Sequence, residues 1–168
     1  MEKQLLCTIR GWTLFYILSL VFWGVTAFPL QWEVGILCKL LSISPDLAPE
    51  TYSGLRYWIS MVYHGVSQTN EQYPFLAYGT DWLAFSHIVI AVAFIGVYAH
   101  PVRNIWVVYF GMIACAGVIP LALIAGAIRE IPFYWQLIDC SFGIFGMIPL
   151  LLIHKYIRRL ERLNLSNT

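Results

Sequence analysis

Apolar residues in this chain come in four long runs, separated by short polar stretches and one long mixed segment. The runs cover Gly11 to Leu30, Trp82 to Tyr98, Ile105 to Ile128 and about Phe133 to Ile153. Each approaches or exceeds the roughly 18 residues that a helix needs to cross a bilayer. None alternates with the period of two that marks a strand. The pattern predicts an all-α integral membrane protein with four transmembrane helices in a bundle, forming a single domain over residues 1–168.

The segment at 31–81 carries a different pattern. Val34 to Ser42 is apolar apart from Lys39 and too short to span, so it reads as a continuation bent at Pro29 or as a re-entrant or interfacial piece. Ser44-Pro45-Asp46 and Ala48-Pro49-Glu50 are helix-start signals. From Glu50 to His64, Tyr52, Leu55, Ile59 and Val62 form one stripe at helical spacing, while Arg56, Ser60 and His64 form another. This predicts an interfacial amphipathic helix with its polar stripe toward water or the protein mouth, stopping at Gly65. Ser67 to Thr80 reads as a polar return loop, with Asp81 as the cap of the second span.

Charge orients these spans. Lys3, Arg10, Arg103, Lys155, Arg158, Arg159 and Arg162 fall on one side, and Lys39, Arg56 and Arg129 on the other. Basic residues gather on the cytoplasmic side of spans, so both termini are expected in the cytoplasm and the 31–81 loop outside. Within the cytoplasmic tail, 154–168, the basic stretch His154 to Arg162 continues the fourth span as a helix; it reads as a stop signal, with attraction to anionic lipid as the rival. Lys3, Arg10 and Val25-Thr26-Ala27 resemble a signal peptide, but the apolar stretch between them exceeds the usual h-region of roughly 7–15 residues. Trp12, Trp32, Trp82, Trp106 and Trp135 stand at span ends as an aromatic belt.

Composition excludes several classes. Only 11% of residues are charged, against about 25% in soluble domains, and the net charge of +1 gives no hold on nucleic acid. The four cysteines form no CxxC, so neither a disulfide framework nor dithiol redox chemistry is expected. Small residues in the third and fourth spans, among them Gly111, Ala114, Cys115, Gly117, Gly126, Gly143 and Gly146, suit close helix packing. No internal repeat supports a transport path.

The candidate chemistry rests on Asp139 and His87, the two ionisable side chains well inside apolar runs. Counting from the outer ends puts both at a similar depth, roughly 8 Å in for His87. Charge in hydrocarbon is costly, so such residues mark functional sites by default. A carboxyl–imidazole pair poised near neutrality can shuttle a proton as general acid and base. Glu33, Asp81, Ser86, Arg129, Glu130, Tyr134 and Ser141 are the candidate ligand-binding groups around it. The competing reading is structural, with Asp139 bonded to His87 or Arg129 to lock helices together. No spacing supports a metal site, the histidines are misplaced for paired haem ligation, and no cofactor is expected. Four helices, a long structured first loop and an acidic site give a layout that resembles the sterol-isomerase and sigma-2-receptor group. The likeness is of layout alone, and it implies a lipid-like ligand.

The expected function is binding, with or without transformation, of a small amphipathic or lipid-like molecule in an outward-facing polar intramembrane pocket. The alternative is a non-enzymatic subunit or scaffold of a membrane complex. Expected partners are the lipid bilayer, such a small molecule, and a second copy or another membrane protein.

Overall fold

The computed structural model describes residues 2–166, and all regular structure among them is helical. The helices are α1 (Glu2–Ala27), α2 (Leu30–Leu40), α3 (Gly54–Gln72), α4 (Tyr78–Ala99), α5 (Ile105–Ile128) and α6 (Phe133–Ser166), with short 3-10 turns at Pro49–Thr51 and Pro74–Ala77. Four of them, α1, α4, α5 and α6, are long and apolar enough to cross a membrane. Trp32, Trp82 and Trp106 are exposed, as side chains facing a membrane interface would be.

The chain divides into two compact units, residues 1–20 with 89–168, and residues 21–88. The first is built on α5 packed along α6. Glycine sets how closely these two approach. A Cβ on Gly143 would stand 2.5 Å from the Cys115 carbonyl oxygen, and one on Gly126 would meet Gln136 Cγ at 2.7 Å. The Gly143 contact, backbone against backbone, is how apolar helices associate where burial from water gives no driving force. Gly117, by contrast, has open space where its Cβ would be. The core of this unit joins Ile9 and Tyr16 of α1, Phe94 and Val97 of α4, Val108 and Cys115 of α5, and Leu150, Ile153 and Ile157 of α6. The Tyr16 and Phe94 rings lie 4.7 Å apart, and the Tyr16 hydroxyl is 3.9 Å from Cys115 Sγ. At the far end of α5 and α6, Arg158 donates to the Tyr109 hydroxyl at 2.6 Å, which lies 3.1 Å from His154 Nε2, and Arg158 also pairs with Glu161 at 2.8 Å.

The second unit contains the end of α1, α2, α3 and the first half of α4. Helix α1 ends at Ala27, two residues before Pro29, and α2 restarts at Leu30. Proline lacks the N–H that a continuing helix would use, which accounts for the break. Helix α2 stops in a Schellman arrangement: Ser42 takes φ +54, Ser42 N–H donates to Lys39 O, and Ile43 N–H donates to Cys38 O at 2.8 Å. The Arg56 guanidinium then donates to the Ser42 carbonyl, which holds this non-glycine turn in place.

Three sequence expectations need correction here. Helix α3 does not stop at Gly65 but runs on to Gln72, so most of the expected 67–80 loop is helix or 3-10 turn. One glycine costs a helix only about 1 kcal/mol, and the turn beyond it is held by side-chain bonds to α2. Asp81 is not a cap, because α4 begins at Tyr78 and Asp81 sits in its first turn. There it still complements the helix dipole. Finally, α3 does not divide cleanly along the two stripes: Ser60 is fully buried and Leu55 exposed. Tyr63, outside both stripes, approaches α2, its ring 3.6 Å from where a Cβ on Gly35 would stand.

Candidate functional site

In the second unit, α2 and α3 are tied by an amide chain. Gln31 Nε2 donates to the Ser67 hydroxyl at 3.0 Å, and Asn70 Nδ2 donates to Gln31 Oε1 at 2.9 Å. In the same unit Val34, Cys38, Ile43 and Ile59 are buried. Burial pushes the Cys38 thiol above its ordinary value, so it packs as a neutral group.

The bonded helices leave an open groove of about 800 Å³. Phe28, Leu30, Ile36, Val66 and Leu76 supply apolar wall, and Gln31, Thr69, Asn70 and Thr80 supply polar groups, with Lys39 the single charge. The size lies within the range of roughly 300–1,000 Å³ typical of small-molecule sites, as does a mostly apolar wall with a few placed polar groups. The Thr80 hydroxyl is committed to the Ala77 carbonyl at 2.7 Å. Asn70 Oδ1 and the Thr69 hydroxyl keep hydrogen-bonding capacity, having no bond to a described residue. Gly65 lies on the groove with nothing near where its Cβ would be.

The residues singled out from the sequence fall in both units. Glu33, Asp81, Ser86 and His87 belong to the second. His87 is half-buried and its Nδ1–H donates to the Leu83 carbonyl at 2.9 Å, while Nε2 makes no bond within the unit. Ser86 donates to the Trp82 carbonyl at 2.7 Å, a local helix bond rather than a site contact. Glu33 and Asp81 are half-buried, and none of these four lines the groove.

Arg129, Glu130, Tyr134, Asp139 and Ser141 belong to the first unit. Arg129, Glu130 and Tyr134 are exposed around the α5–α6 turn. Glu130 takes φ +56 and closes α5 as Ser42 closes α2, with Ile131 N–H donating to Gly126 O at 2.9 Å. Ser141 donates to the Ile138 carbonyl at 2.6 Å. Asp139 is half-buried and has no hydrogen-bond or ion-pair partner among the described residues of its unit, Arg129 included.

Two groups escaped the sequence reading. Thr13 is fully buried in the core of the first unit with its hydroxyl unbonded, hidden in an apolar run whose register alone did not expose it. The Gln31–Ser67–Asn70 chain joins positions 36 and 39 apart, which no local pattern signals. Among the described residues, no three His, Cys, Asp or Glu side chains gather as a metal site would require.

Comparison with family models, curated proteins and solved structures finds no match to this chain. The functional reading therefore rests on its own geometry.

Proposed function

We propose that this is a multi-pass membrane protein, both termini cytoplasmic, that binds a small amphipathic or lipid-like molecule on its extracytoplasmic side. The observation that carries the reading is the groove between α2 and α3, with an apolar wall for a chain and unspent amide and hydroxyl groups for a polar head. The positive-inside distribution supports the orientation, since the groove lies in the long segment opposite the more basic side. At an outer interface, such a groove would meet amphiphiles arriving from the leaflet or from water.

Asp139 and His87 belong to different units and neither lines the groove, so the reading is of binding. Binding needs neither; a chemical step would need at least one.

Gly65→Trp tests the groove. Its Cβ meets nothing, so the indole should fill the space without displacing the helices. Mass spectrometry of the protein purified in mild detergent is expected to find a bound amphiphile in the wild type and a loss of about tenfold or more in Gly65→Trp, with the melting temperature unchanged. Equal retention by the two proteins would refute the proposal.

A further inference from the structure

A second pocket, of about 500 Å³, lies within the first unit along the opening turns of α1. Lys3 and Arg10 line it, and no acidic side chain does. Arg10 is held in place: its Nε–H donates to the Tyr98 carbonyl at 3.2 Å, and its guanidinium lies 5.5 Å from the Tyr98 ring centroid. The terminal guanidinium nitrogens are left for another acceptor, and a fixed planar fork is well suited to phosphate. Leu6 and Leu14 line the same pocket, as does Gly11, which has nothing within 4 Å of an added Cβ.

Positions 3, 7, 10 and 14 share one face of the helix. The face turns from cationic to apolar, and its ends lie roughly 16 Å apart at 1.5 Å per residue. That gradient has the polarity of a lipid: a negative head beside Lys3 and Arg10, and a chain passing over Gly11 toward Leu14. Basic residues used only as topology signals need no such cavity.

We propose that this pocket is a binding site for an anionic phospholipid, its phosphate held by Lys3 and Arg10 and its acyl chain seated against Gly11 and Leu14. The site is separate from the groove between α2 and α3, and it depends on charge complementarity rather than on uncharged polar groups.

The test is native mass spectrometry of the full chain in detergent, titrated with phosphatidylglycerol or phosphatidylcholine. The wild type should retain the anionic lipid at least about fivefold better. A basic residue near a membrane surface contributes about 1 kcal/mol toward anionic lipid, so Lys3→Gln should cost about fivefold. Gly11→Leu should also lose the lipid, by filling the pocket, with an unchanged melting temperature. Replacing Arg159 and Arg162 together by glutamine should leave binding unaffected. Exposed Cys7 also lines the pocket, so its labelling by a maleimide should slow when phosphatidylglycerol is present. Equal retention of both lipids, an equal loss in the Arg159 and Arg162 variant, or equal protection of Cys7 by glycerol phosphate would each overturn the assignment.

Discussion

The two units of this protein spend their residues differently. The first packs α5 on α6 through glycines so close that a methyl group would collide, and it joins four helices in one apolar core. The second buries few side chains, ties α2 to α3 through an amide chain, and leaves an open groove beside the tie. Tight packing resists change, because a dense interior has no spare volume. A groove edged by hydrogen bonds can admit and release a guest. On the proposed reading, the α5–α6 packing gives support and the groove of the second unit takes the uncharged guest.

The largest effect should come from the tightest contact. Gly143→Ala places a carbon against the Cys115 carbonyl, which is backbone and cannot rotate away. It should cost about 3 kcal/mol, seen as a lower melting temperature in detergent. Full stability in this variant would mean that α5 and α6 are not closely held.

Next in size is Gln31→Ala, which removes both bonds of the amide chain at about 1 kcal/mol each. The loss should be local: faster hydrogen exchange in α2 and α3, with α5 and α6 still protected. Uniform acceleration over the whole chain would erase the distinction between the units.

A smaller, stabilising effect is expected from Glu130→Gly. Holding an L-residue in the left-handed region costs about 1–2 kcal/mol, and glycine relieves much of it. The variant should melt higher. An unchanged or lower melting temperature would mean that the left-handed turn at Glu130 stores no strain.

The smallest change should follow Asp139→Asn. A carboxylate tied into a buried ion pair leaves an uncompensated partner when removed, at about 3–5 kcal/mol. Asp139 has no such partner within its unit, so the shift in stability should stay within about 0.5 kcal/mol. A large loss would restore the structural tie considered from the sequence.

How much was legible follows from which interactions are local. Helix α5 occupies the predicted 105–128 at both ends, because its apolar run is bounded by the turn at Pro101 to Asn104 and by Arg129-Glu130. The basic stretch His154 to Arg162 was expected to continue the last span as helix, and α6 does so, running on to Ser166. Helix α1 starts nine residues before its predicted span, since Glu2 to Arg10 forms helix without being apolar throughout. The groove was not legible. Its lining runs from Phe28 to Thr80, and nothing in an apolar residue such as Ile36 or Val66 distinguishes a groove wall from a core. Glycines 143 and 117 were indistinguishable by type, yet one is a contact point and the other faces open space. Attention fell on Asp139 and His87 because charge inside an apolar run is visible in one dimension, whereas concavity is not.

The most direct test of recognition by the second unit is photocrosslinking with an uncharged, photoactivatable monoacylglycerol, followed by peptide mapping. Adducts concentrated in α2, α3 and the Pro74–Ala77 turn, and abolished by Gly65→Trp, are the predicted result. Adducts spread evenly over the exposed faces of α5 and α6, and indifferent to Gly65→Trp, would contradict it.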